Sequence, residues 1–316
     1  MVTETEPRRF QPQMAMSPPD PISRRLSLAV GIATRGRPRV LAETIADLEQ
    51  QSRQPDRIVI SYAEPGDIGD APERFPQVDF VQGPLGLTNQ RNAILAALHQ
   101  EDVVLFLDDD FYLEREYIHK MANLFLSRPE VVVATGRVLA DGINGPGLSL
   151  EEAKAVISAH APEEAGNSET TPVFNAYGCN MCLRMQPIRE HQLRFDVQLP
   201  LYGWYEDVDF SRQLAAYGAV VLLPTACGVH LGSKSGRQSG LRLGYSQVAN
   251  PVYLARKRSV PWSYAIASMM SRSLKNVVRS FAPEPYVDRR GRLRGNLMAW
   301  KDLLTGTIAP TRILNL

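Results

Sequence analysis

Apolar runs alternate with helical spacings along the first third of the chain. LSLAVGIAT, residues 26–34, is a short continuous apolar run containing Val30 and Ile32, which by length and composition is a buried strand. After Pro38, the segment 40–51 carries apolar residues at 40, 41, 45 and 48, the spacing of one helical face. Strand-like runs recur at 57–61, 78–83 and 103–107, and a second helical pattern fills 87–100. Strands that are apolar throughout and alternate with helices predict an α/β fold, a mostly parallel central sheet with helices on both faces. Such sheets gather ligands beyond the carboxyl ends of their strands. Three segments stand at such ends: TRGRP (34–38), SYAEPGD (61–67) and DDD (108–110).

Beyond residue 111 the pattern loosens. It predicts a helix over 114–127, a strand over 131–139, and a Gly/Pro/Glu-rich excursion over 141–172 that is either a mobile loop or a short helix with turns. FNAYGCNMCLRM (174–185) follows, then an acidic helix within 202–218 that feeds the strand AVVLLP (219–224). Near the C-terminus, apolar residues at 262, 265, 266, 269, 270, 274, 277, 278 and 281 stand opposite Arg272, Lys275 and Arg279, the pattern of an amphipathic helix with a cationic face. Residues 1–25, with five prolines and little to bury, read as a disordered tail. No internal repeat is present.

Composition is that of a globular protein, 316 residues with 44% hydrophobic and 22% charged, long enough to bury a sizeable core. The net charge of +1 hides an asymmetry: residues 1–233 hold 20 Lys and Arg against 31 Asp and Glu, whereas residues 234–316 hold 15 against 3. The basic last quarter, to which RRGRLRG (289–295) contributes, is suited to an anionic surface. Its amphipathic helix either packs on the rest of the chain or lies on an anionic membrane surface. Nucleic acid is not expected, because aromatic interleaving and a known module are absent. Cys179, Cys182 and Cys227 cannot make a disulfide framework, and the CxxC of the first two lacks a second pair, which leaves packing. Neither a signal peptide nor a run long enough to span a membrane is present, so the expectation is a cytoplasmic protein, free or peripheral on the inner face of the membrane.

The motifs narrow the chemistry. Gly31 and Gly36 have P-loop spacing, but Arg37 and Pro38 stand where Lys and Ser or Thr are needed. What remains is a strand ending in Thr34, Arg35 and Arg37, either a solvated basic turn or a holder of base and phosphate. Asp108, Asp109 and Asp110 follow a buried strand directly; three exposed aspartates at a turn are unremarkable, yet this strand aims them at the ligand-bearing edge. Asp108 and Asp110 would then flank a divalent cation with Asp109 pointing elsewhere. Glu206, Asp207 and Asp209 open a helix, either as favourable charges at its positive end or as the source of a general base. His230 opens a Gly/Ser/basic loop with Lys234 and Arg237, a composition suited to closing over phosphates.

Taken in order, TRGRP, GLTNQRNAIL (86–95), FLDDD (106–110) and GWYEDVDFSRQL (203–214) resemble the motif series of the family 2 glycosyltransferases with the GT-A fold, particularly bacterial enzymes of surface-polysaccharide assembly. The resemblance covers about residues 26–258, with a nucleotide-binding half (26–111), an acceptor-binding half (112–258) and a basic helical extension (259–316). It implies nucleotide contacts from Thr34, Arg35, Arg37, Arg91, Asn92 and Asp108, with Glu64 where the family often reads the base with an Asp. It also implies Asp109 near the sugar, a Mn²⁺ or Mg²⁺ ion on Asp108, Asp110 and His230, and Lys234 and Arg237 on the diphosphate. Asp207 would be the base, with Glu206 and Trp204 orienting the acceptor. The implied reaction is inverting transfer from a nucleoside-diphosphate sugar to a glycan or lipid-linked acceptor. The alternatives are a sugar-phosphate nucleotidyltransferase and a catalytically dead glycan- or membrane-binding scaffold.

Overall fold

Alternate side chains of β1 (Leu28–Ala33) enter two separate apolar layers, which is why its sequence is apolar without a break. A computed structural model of the protein describes residues 25–160, 169–234 and 239–316, so almost all of the expected N-terminal tail lies outside the described residues. The first half continues through α1 (Pro38–Leu48), β2 (Arg57–Tyr62), α2 (Ala71–Arg74), β3 (Asp79–Gln82), α3 (Leu87–Ala97) and β4 (Val103–Asp108). Leu28, Val30 and Ile32 join Leu105 and Leu107 on one face of the sheet, while Ala29 joins Val59, Val104 and Phe106 on the other.

The chain then runs through β5 (Phe111–Leu113), α4 (Tyr117–Ser127), β6 (Val131–Asp141), α5 (Leu150–Ala159), β7 (Thr171–Pro172), β8 (Asn180–Arg184), α6 (Met185–Glu190), α7 (Glu206–Leu214) and β9 (Ala219–His230). The excursion after residue 141 therefore contains a helix, started by a reciprocal cap between Ser149 and Glu152. The sheet order is β3-β2-β1-β4-β8-β6-β9-β5, with β7 alongside β9. β3, β2, β1 and β4 are parallel. Beyond β4 the sheet is mixed: β8 runs antiparallel to β4 and β6, β6 is parallel to β9, and β5 is antiparallel to β9. The all-parallel part of the sheet ends where the regular helix–strand alternation of the sequence ends.

The last quarter is helical: α8 (Gly240–Lys257), α9 (Trp262–Ser280) and α10 (Arg289–Leu304). A Cβ at Gly244 would meet the backbone of Arg292, and one at Gly295 would meet the backbone of Leu241, so α8 and α10 touch main chain to main chain. Asn276 of α9 donates to Gln247 and Asn296 at 2.8 Å each and so joins all three helices. α9 packs on the other helices by one face only. Ala265, Met269 and Asn276 are buried, whereas Trp262, Ile266, Met270, Leu274, Val277, Val278 and Phe281 form an exposed apolar ridge. Among the described residues, no helix is long and apolar enough to cross a membrane.

Candidate active site

Register assembles the first cluster. Ala33 pairs with Asp108 across β1 and β4, Phe111 pairs with His230 across β5 and β9, and Asp141 pairs with His230 across β6 and β9. The turn after β4 thus folds Asp110 against the end of β9. His230 Nε2 lies 3.4 Å from Asp110 Oδ1 and 3.7 Å from Asp108 Oδ2, while Nδ1 lies 2.9 Å from Asp141 Oδ1. Candidate ligand atoms of Asp108, Asp110 and His230 all lie within 4.8 Å of one another. Two hard carboxylate oxygens with one imidazole fit a divalent cation, and Asp141 fixes the ring so that Nε2 faces the carboxylates. Burial disfavours charge on His230, but the hydrogen bonds to Asp110 and Asp141 outweigh it and raise its pKa to about 10 without a metal, so a cation at Nε2 would take the place of that proton. Asp110 is held down near 2 despite burial, by His230, Arg37 and the Ser233 amide.

The triplet is also offset by the chain itself. Arg37 Nη2 lies 2.8 Å from Asp109 Oδ1, and Nη1 lies 3.3 Å from Asp110 Oδ2. Thr34 donates its hydroxyl to Asp109 Oδ2 at 2.6 Å, and Thr44 donates to the Asp109 carbonyl. Asp109 is completely buried, and burial pushes it up to about 7 against the pull of Arg37. The Thr34 hydroxyl and the Asp109 carboxylate, expected near nucleotide and sugar, are thus engaged with each other inside the protein. The alternation of side chains along an extended turn, with Asp108 and Asp110 on one side, is what is observed.

The second cluster starts α7. Leu201, Gly203 and Tyr205 all have left-handed φ, at 60°, 66° and 72°, and this winding delivers Glu206 and Asp207 to the helix start, where the dipole favours negative charge. Arg91 of α3, 1% exposed, donates to Glu206 Oε1 and to the Gly178 carbonyl, each at 2.7 Å, and lies 3.6 Å from Asp108 Oδ1. The Gly178 amide donates in turn to Asp207 Oδ2 at 3.0 Å. Burial pushes Glu206 up to about 8 against the pull of Arg91, and it pushes Asp207 up as well. Trp204 stands beside these acids, its indole N–H buried without a hydrogen-bond partner among the described residues, with Arg272 of α9 stacked 5.5 Å from its ring. Asp209 does different work: it is fully buried and accepts from Lys257 at 2.7 Å and from Ser259 at 2.5 Å.

Several expected residues stand apart. Asn92 spends both ends of its amide on the Phe195 backbone, at 2.9 Å each, and ties α3 to the loop before α7. Arg91 points into the protein, bridging acids. Arg35 and Glu64 are exposed at the strand ends. Lys234 donates to the Gly142 and Ile143 carbonyls, and Arg237 lies outside the described residues. Two residues were missed. Asp141 carries no local signal, since only sheet register brings it to His230. Asp67 accepts from the amides of Gly36, Ala63 and Glu64 at 2.8–3.0 Å and clasps two strand-end loops together.

The profile described as glycosyl transferase family 2 matches residues 29–192, just over half of the chain. The protein belongs to this family. The fold has counterparts among solved glycosyltransferases. S. aureus TarS 1-349 is 15% identical at a TM-score of 0.50, over 91% of this chain and 82% of that one. GalNAc-T7, solved with UDP, GalNAc and Mn²⁺, is 13% identical at 0.56, over 89% of this chain and 57% of that one. The mannosyltransferase PcManGT from Pyrobaculum calidifontis, solved with GDP-Man and Mn²⁺, is 13% identical at 0.52, over 92% and 85%. Comparison with curated proteins gives no match. As a family 2 glycosyltransferase with the GT-A fold, the chain is an enzyme, and the nucleotidyltransferase and scaffold readings lose their support.

Proposed function

We propose that this glycosyltransferase moves a sugar from a nucleoside-diphosphate sugar to a hydroxyl of a glycan or lipid-linked acceptor, inverting the anomeric carbon, in bacterial surface-polysaccharide synthesis. The observation that carries this reading is Arg91, which bridges Asp108 of the cation-type cluster and Glu206 of the acid pair. Donor charge and acceptor proton are then handled at two poles of one site. Asp207 takes the proton of the acceptor hydroxyl as its oxygen bonds to the anomeric carbon. The bond from that carbon to the diphosphate breaks, and its electron pair leaves with the nucleoside diphosphate. Glu206 and Trp204 orient the acceptor. Asp108, Asp110 and His230 would hold Mn²⁺ or Mg²⁺, which supplies stabilisation for the charge developing on the leaving diphosphate. Arg35 and Glu64 border the nucleotide side, and Lys234 and Arg237 serve the diphosphate side. The UDP-GlcNAc complex of TarS and the GDP-Man complex of PcManGT support a nucleotide-sugar donor.

The exposed ridge of α9 carries no acidic residue, and Arg272, Lys275 and Arg279 flank it. An apolar ridge rimmed by cations suits an anionic membrane surface, the inner face of the membrane for a cytoplasmic enzyme. Replacing Ile266, Met270 and Leu274 together by Ser should abolish co-sedimentation with anionic vesicles, and unchanged co-sedimentation would defeat the membrane assignment.

The main test is a thermal-shift screen of nucleotide sugars with Mn²⁺, followed by a transfer assay with the donor found. Asp110→Ala should lose the Mn²⁺-dependent shift. Asp207→Asn should keep it and lose about 10²–10⁴ in transfer rate. Full transfer by Asp207→Asn would remove Asp207 as the base.

A further inference from the structure

An open groove of about 610 Å³ lies outside the two clusters, lined by Phe174, Arg212, Arg256, Arg258, Pro261 and Trp262 among others. Three guanidinium-bearing residues share its wall. Arg212 stacks on Phe174, 4.6 Å from the ring centroid, and donates to the Phe174 carbonyl at 3.2 Å. Arg256 and Arg258 are exposed and make no ion pair or side-chain hydrogen bond among the described residues. Like charges gathered around one cavity without a counter-charge repel one another, and a bound anion relieves them. Arg258 is informative by its backbone as well. It ends α8 in the left-handed conformation, φ 68°, with its amide on the Ala255 carbonyl. Glycine is the usual residue at such a helix end. Here a cation holds the position at a conformational cost, and its side chain lines the groove.

The groove also has a direction. Phe174 stacks on Tyr264 at 5.0 Å, Tyr264 meets Tyr205 at 6.2 Å, and Tyr205 immediately precedes Glu206 and Asp207. One aromatic layer separates the cations from the acid pair. At its other side Trp262 is both a wall of the groove and the first residue of the exposed ridge that continues through Ile266, Met270 and Leu274. Starting from the acid pair, aromatic layer, cations and apolar ridge therefore lie in series.

We infer that the groove binds the phosphate of a lipid-phosphate acceptor, with its hydrocarbon chain along the α9 ridge and its sugar end carried past Tyr264 toward Asp207. This rests on the glycosyltransferase reading and specifies its acceptor. Guanidinium groups match phosphate oxygens bidentately, and the ridge gives the chain an apolar bed continuous with the groove. A free phosphate would use only the first of these features.

Farnesyl phosphate below its aggregation concentration, farnesol and inorganic phosphate are titrated into the full-length protein by calorimetry. Farnesyl phosphate should bind tightest. The double variant Arg256→Gln/Arg258→Asn, in which Asn tolerates the left-handed position, should weaken it at least about tenfold. Ile266→Ser/Met270→Ser should weaken farnesyl phosphate and leave inorganic phosphate unchanged. Undiminished binding of farnesyl phosphate to the arginine variant would overturn the inference, and so would inorganic phosphate binding as tightly as the lipid. The same variants should keep the wild-type thermal shift with nucleotide sugars and Mn²⁺. Loss of that shift in the wild-type protein would count against the transferase reading alone, since lipid-phosphate binding is read without donor.

Discussion

Arg91 Nη1 lies 2.7 Å from Glu206 Oε1 while Nη2 of the same guanidinium lies 3.6 Å from Asp108 Oδ1 and donates to the Gly178 carbonyl. A planar fork can span these partners, and a single ammonium cannot. Arg91→Lys should therefore keep the fold by circular dichroism but lower transfer by about a hundredfold or more, because an acid loses its fixed partner. Near wild-type turnover would show that the bridge is dispensable.

The acidic helix divides its labour. Asp209 is fully buried on Lys257, Ser259 and Gln213, and Lys257 remains about one-third exposed. Asp209→Ala should cost about 2–3 kcal/mol of unfolding free energy, as a buried pair loses one partner and water moderates the loss. Asp207→Asn should leave stability equal or slightly higher at neutral pH, because burial already disfavours its charge. Urea denaturation of both variants distinguishes the two acids.

Asp141 orients His230, and would act through it on a cation held by Asp108, Asp110 and His230. Asp141→Asn should weaken Mn²⁺ affinity about 10–100-fold, which is usual when a carboxylate behind a metal-binding histidine is lost. Paramagnetic titration of Mn²⁺ reads this directly. Most transfer activity should return at saturating Mn²⁺ if Asp141 only orients the ring.

Away from the site, burial raises Asp47 from 3.8 to about 6, with partial relief from Leu113, Lys154 and Tyr112. The folded state thus binds this proton more tightly than the unfolded one, so the contribution to stability falls as pH rises from about 4 to about 6 and stays lost above. Asp47→Asn should raise stability at pH 7 by up to about 2 kcal/mol and give no advantage below pH 4. Thermal melts across that range check both ends.

The sheet was legible because two-sided burial leaves a mark on every residue of β1 and β4, and their limits agree with the apolar runs to within a residue or two. The DDD turn and the acidic helix were legible as clusters, but their internal division was not. Nothing local tells Asp109 from Asp110; the difference is that Thr34, 75 positions earlier, bonds Asp109 while His230 faces Asp110, with Arg37 touching both. Asp141 was hidden for the same reason, being joined to His230 solely by strand register. α8 was not expected, and α10 was expected only as part of a helical extension, because their contact is made of glycine backbone, with Gly244 and Gly295 where apolar periodicity would otherwise show.

The segment that carries the acid pair is held from behind by the C-terminal helices. Tyr205 shares a hydrogen bond with Ser268 of α9, the Trp204 carbonyl accepts from Asn250 of α8 at 2.8 Å, and Asp209 holds Lys257. Three anchors, two on α8 and one on α9, make the last three helices a poor unit of exchange between relatives. A chimaera joined near residue 239, ahead of α8, would keep the central sheet intact but misalign the acid pair unless all three seams were transplanted together. Acceptor preference in this lineage would then diversify by substitution within the extension rather than by shuffling it.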